Sequence, residues 1–198
     1  MGNWYTNIIL KKVNPLDVLR QLRGLRRKAI VYASQNDWTT VYDEECDRFD
    51  LNALESLALT LSNELRCVAV PCFNADDDVL WFAIYRNGER LSRYASALDQ
   101  FEDGGEFPST REFASTLSEI FDQQAVVGTV RGLLGRRHGA WGLLRIIKIP
   151  VGYLFEIERH RDLAEVLGMP RAAIGLGYTY VARGEMADGM DRAGLLRT

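Results

Sequence analysis

Apolar residues recur with two different periods along the first half of the chain. Trp4–Leu10 is dense in β-branched and aromatic side chains and predicts a first strand. Asn14-Pro15 then opens a helix, with Asn as N-cap, Pro in the first turn, and Asp17 where the helix dipole favours an acid. Leu16, Leu19 and Leu22, joined by Val18, form its apolar stripe, and Gly24 marks its end. Ala29–Ser34 and Trp38–Asp43 predict two short strands around Gln35-Asn36-Asp37. Leu51, Leu54, Leu57, Ala58, Leu61 and Leu65 predict a second helix, capped by Asp50. Cys67–Phe73 and Val79–Arg86 read as strands around the polar loop Asn74–Asp78. Asn87-Gly88 supplies the two positive-φ positions of a type I′ turn, joining Val79–Arg86 to Glu89–Ser96 as a hairpin.

The order βαββαβ plus a hairpin points to an α+β protein. Its first unit, residues 1–96, is expected to be a ferredoxin-like sandwich built from a split βαβ pair. Residues 97–198 are expected to form a mostly helical second half packed on that unit. Ser109 and Glu112 make a capping box before a helix through Phe113, Leu117, Ile120 and Phe121. Gln124–Leu134 and Arg159–Leu167 predict further helices. Ala173–Arg183, with alternating Tyr178 and Tyr180, predicts one late strand, and the tail from Met186 onward is expected to fray. Trp4, Trp38 and Trp81 sit on the strands, where the second half is expected to cover them.

Composition narrows the class. With 198 residues, 47% of them apolar, the chain can bury about 70% of its unfolded surface, so it needs no staples. Cys46, Cys67 and Cys72 are an odd number without a C-x-x-C pair, which fits reduced thiols in the cytoplasm better than a disulfide framework. The N-terminus lacks the basic and apolar regions of a signal peptide, and no apolar run reaches the ~18 residues of a membrane span.

Net charge is −3, unevenly spread. Residues 1–122 carry 20 acids and 13 bases, whereas residues 123–155 carry five bases and no acid. That second stretch holds Arg131, Arg136, Arg137, His138, Trp141, Arg145 and Lys148, interleaved with glycines and aliphatic residues. It predicts a cationic strip for a charged partner. The acids gather in Asp43-Glu44 and Asp76-Asp77-Asp78, which the split βαβ topology would bring to one end of the sheet. Close carboxylates there could admit a hard cation, but acids also serve turns and caps, so no metal is assigned.

Motifs for catalysis are sparse. Gly104-Gly105-Glu106-Phe107 is similar over four residues to the signature of cyclic-dinucleotide synthases, but it lacks one acid and runs into a helix cap, so it reads as a loop. His160-Arg161-Asp162 spells the protein-kinase tripeptide, yet Leu167 stands where that pattern needs Asn. A thiol–imidazole pair such as Cys46 with His138 or His160 has no local support. Both histidines, flanked by arginines, are expected to be solvated.

These readings favour a non-catalytic protein-interaction module, such as an inhibitor or immunity-type neutraliser, using an acidic face and the basic strip. A protein partner is expected, and a homo-oligomer is compatible with the sequence. Nucleic acid and cofactors are not expected, since a pI of about 5.5 is not that of a nucleic-acid-binding domain. The alternative is an enzyme or ligand-binding domain with a carboxylate/arginine site between the two halves.

Overall fold

In a computed structural model the described residues are 2–34, 37–98, 107–136 and 153–198. They contain six α-helices and a single seven-stranded antiparallel sheet. The strands are β1 (Tyr5–Lys11), β2 (Ala29–Ala33), β3 (Trp38–Asp43), β4 (Val68–Ala75), β5 (Val79–Arg86), β6 (Glu89–Ala95) and β7 (Leu195–Arg197). Their spatial order is β6-β5-β4-β1-β3-β2-β7. β1 lies at the centre, with Ile8 facing Val41 of β3 on one side and Pro71 of β4 on the other.

Helices cover both faces. On one side α1 (Pro15–Gly24) and α2 (Leu51–Glu64) lay Val18, Leu22, Leu54 and Leu61 onto Ile8, Leu10, Val41, Ala83 and Tyr85. On the other, α3 (Thr110–Ile120), α4 (Val127–Leu134) and α5 (Glu156–Leu167) bury Phe113, Leu117, Val130 and Leu163 against Tyr5, Ile9, Val70, Phe82 and Tyr94. Alternation along each strand feeds both cores, which is why β5 is buried at every position from Val79 to Tyr85.

Local chemistry sets the helix starts as the sequence predicts. Asn14 accepts from Leu16 N, Asp50 accepts from Asn52 N and Ala53 N, and Ser109 with Glu112 completes a capping box. The Asn87-Gly88 turn has φ of 52° and 84°. A side chain at Gly88 would also meet Asn63, so glycine is required there twice over.

Two expectations are corrected. Ala173–Arg183 is not a strand: a 3-10 turn over Arg171–Ala173 leads into the short helix α6 (Tyr178–Ala182). Its buried residues, Tyr178 and Val181, are three apart and pack on Ile30 and Tyr42, so the helical period overrides the Tyr178/Tyr180 alternation. The tail is not frayed. Leu195, Leu196 and Arg197 pair with Tyr32, Val31 and Ile30 as β7, and Ala29 N donates to Thr198 Oγ1.

The second half does not cover all three strand tryptophans as expected: of Trp4, Trp38 and Trp81, its helices cover Trp38 alone. Trp38 is buried on the α3–α5 face, stacked on Phe121, and Trp81 is buried on the α1–α2 face. Only Trp4 reaches solvent among the described tryptophans. No helix among the described residues is long and apolar enough to cross a membrane.

Candidate functional site

The two acidic clusters do meet at one end of the sheet, because Tyr5 at the start of β1 faces Asn74 and β3 runs antiparallel to it, ending at Asp43. The carboxylates of Asp43, Glu44, Asp76 and Asp77 each have at least one oxygen engaged by the fold. Asp43, 2% exposed, forms a two-pronged pair with Arg27 and accepts from the backbone N–H of Glu45 and Cys46. This pairing lifts the Arg27 pKa further. Glu44 accepts from Lys28 at 2.6 Å. Asp76 accepts from Gly2 N and Trp4 Nε1, and Asp77 from Asn3 N and Asn74 Nδ2. Asp78 follows in the same turn, its N–H on Ala75 O. No three-residue group suited to a metal ion occurs among the described residues.

Of the basic strip, Arg131 lies exposed on α4. Arg136 reaches Tyr153 OH at 3.2 Å, and Tyr153 in turn donates to Asp162. Arg137, His138, Trp141, Arg145 and Lys148 lie outside the described residues, as does the Gly104-Gly105-Glu106 loop.

The reactive side chains are enclosed. All three thiols are free and buried. Desolvation raises the pKa of each, for Cys67 to about 11. His160 is not solvated but fully buried, since its position on α5 faces the sheet between Tyr5 and Phe82. Its Nδ1 lies 2.7 Å from Tyr5 OH, and its Nε2 has no partner. Burial, not the neighbouring arginines, drives its pKa down to about 3. The thiol beside it is Cys72 at 3.7 Å, not Cys46, which sits under Arg27. A buried neutral imidazole and a buried protonated thiol are poorly placed for nucleophilic work on a solvent-borne substrate.

Beside His160 lies a charge that the sequence reading missed. Arg159 and Glu156 are both fully buried. Arg159 donates to both Glu156 oxygens and to the carbonyls of Leu133, Leu134 and Arg136. All five guanidinium N–H groups are thereby used, and the open end of α4 is closed. The only sequence signal is an Arg three residues after a Glu, which is ordinary on solvated helices.

An open groove of about 1,050 Å3 lies between the end of β2, α5 and the C-terminal turns. Met169, Pro170 and Met190 give it an apolar floor with Tyr32. Tyr42 OH holds Ala172 O at 2.6 Å and touches Met190 Sδ, which fixes the wall. Arg161, Glu165, Arg171 and Asp188 stand exposed around it, with no ion pair to one another. None of these residues was singled out as a site from sequence. The turn signals Gly184, Gly189 and Asp191 ahead of Leu195-Leu196 are what could have argued against a frayed tail.

Comparison with protein families, with curated proteins and with solved structures returns no match. What the protein does therefore rests on its own residues.

Proposed function

We propose that the protein acts by binding another protein, and that the groove beside β2 receives an amphipathic segment of that partner. The groove carries this reading. Its volume is at the upper end for small-molecule sites, it is open, its lining is rich in adaptable methionine, and its rim charges of both signs have no ion pair among the described residues. Enclosure of the thiols and of His160 supports binding over catalysis. An inhibitor or immunity-type neutraliser, working in the cytoplasm, is the kind of protein this describes. The basic strip remains part of the proposal through Arg131 and its continuation beyond Arg136.

The strand order β4-β1-β3-β2, with α1 and α2 on one face, supports reading residues 1–96 as a ferredoxin-like unit lengthened by the β5–β6 hairpin, with residues 97–198 as the second half. The alternative, a ligand-binding or enzymatic site between the halves, draws support from the same groove, since Tyr32 comes from the first half and Arg161, Glu165 and Arg171 from the second. Asp43, Glu44 and Asp76 do not line the groove and play no part in that version.

The experiment is site-specific photocrosslinking. A photoreactive phenylalanine analogue at Met186 in the groove is expected to capture a partner protein. The same group at Leu59 on α2, which is 39% exposed, is expected not to. The R161E/R171E variant should lose the Met186 adduct. Equal labelling from both positions, or an adduct indifferent to R161E/R171E, would refute the groove.

A further inference from the structure

Away from the groove, at the end of the sheet where β1 begins, three aromatic rings stand in a row. Trp4 is 38% exposed and Phe49 37%, with ring centroids 4.8 Å apart in an edge-to-face contact. Phe49 continues to Phe73 at 6.2 Å. Phe49 is also held at φ 62°, ψ 31°, a left-handed conformation that a bulky side chain rarely adopts. The ring is thus kept partly in water at a backbone cost that glycine would avoid.

Two carboxylates accompany the rings, Asp76 bonded to Trp4 and Asp50 following Phe49 in the chain. Asp76 Oδ1 accepts from Trp4 Nε1 at 3.0 Å and from Gly2 N at 2.9 Å. Asp50, next to Phe49, uses Oδ1 to cap α2. Both residues are exposed, and the second oxygen of each has no partner among the described residues. Arg48 is the neighbouring cation, and it is paired with neither. An apolar partner laid on this surface would strip water from two carboxylates without replacing it, and a phosphate would be repelled by them. A guanidinium satisfies both features at once, lying flat on an aromatic face while its N–H groups reach a carboxylate oxygen.

We propose that Trp4 and Phe49, with Asp50 and Asp76, form a docking site for an arginine side chain on a basic segment of a partner protein. The site is independent of the groove and stands or falls without it.

An octa-arginine peptide is the probe, and the Trp4 indole N–H resonance, identified by its loss in W4F, is the readout. A saturable shift is expected, weaker with octa-lysine. D50N/D76N keeps both acceptor oxygens for the backbone and removes the charge, and it should weaken binding at least tenfold. F49G deletes the ring while relieving the backbone, and should abolish the shift without lowering the melting temperature. No saturable shift overturns the proposal, as does octa-arginine affinity unchanged in D50N/D76N. An F49G variant that melts lower and still binds marks Phe49 as packing only, and overturns it too.

Discussion

The two faces of the sheet are built by different means. Under α1 and α2 the contacts are apolar: Val18, Leu22, Leu54 and Leu61 lie on Ile8, Leu10 and Val41, with Trp81 and Tyr85 in the same layer. Under α3, α4 and α5 the apolar layer is interrupted by the buried ion pair Arg159–Glu156 and by His160 against Tyr5. The first face needs shape and hydrophobicity, which tolerate exchange among similar residues. The second face depends on each buried polar group finding its partner, because an unpartnered one is costly in a low dielectric. Lys11 repeats this logic at the rim, where its ammonium meets the Ile120 carbonyl at the end of α3 and Asp122 at 2.7 Å.

The largest effect that separates the faces should come from Arg159. R159M leaves Glu156 as an isolated buried charge and opens the end of α4, and is expected to cost about 3–5 kcal/mol in a denaturant melt. E156L/R159M should recover a good part of that loss. If R159M alone were neutral, the polar face would owe nothing to the pair. On the face under α1 and α2, L61A truncates a fully buried side chain and should cost about 3 kcal/mol, with no second substitution elsewhere restoring it short of refilling the cavity.

Acid separates the faces more finely. His160 falls from 6.5 to about 3 on burial. Between those values the unfolded chain holds the extra proton, so the stability this group contributes is present above pH 6.5 and lost as pH falls toward 3. H160Q keeps an acceptor for Tyr5 OH and should flatten the acid limb of a stability–pH curve, while L61A shifts that curve without changing its slope. Parallel curves for wild type and H160Q would contradict this. Smallest of all, D50A on one face and S109A on the other should each lose about 1 kcal/mol, because a helix cap is a local bond wherever the helix packs. A large difference between them in melting temperature would show that tertiary context enters even there.

The same division governs what could be read in advance. Asn14, Asp50 and the Ser109/Glu112 box act within three residues, and each was visible as a spacing. The Asn87-Gly88 turn was visible because its positive φ angles name their residues. The late strand was misread because five residues of Tyr178–Ala182 are too few to distinguish period 2 from period 3.6 when aromatic side chains occupy alternate positions. At the candidate site, the convergence of Asp43 and Asp76 on one sheet end followed from strand order. Their use by Arg27, Gly2 and Trp4 did not, since those donors are assigned by geometry across 16 to 74 residues of chain.

The sequence alone therefore determined the elements of the first half, their caps and turns and the α+β class, because these depend on neighbours within a few residues and on composition. Only the tertiary structure decided that β7 closes the β2 edge, that Arg159 and His160 are interior and that Arg161 and Arg171 border one groove. It also decided that Trp4 and Phe49 meet in the open beside Asp76. Each of those outcomes pairs groups far apart in sequence, and such pairing is chosen by the packing of whole elements, which no local pattern encodes.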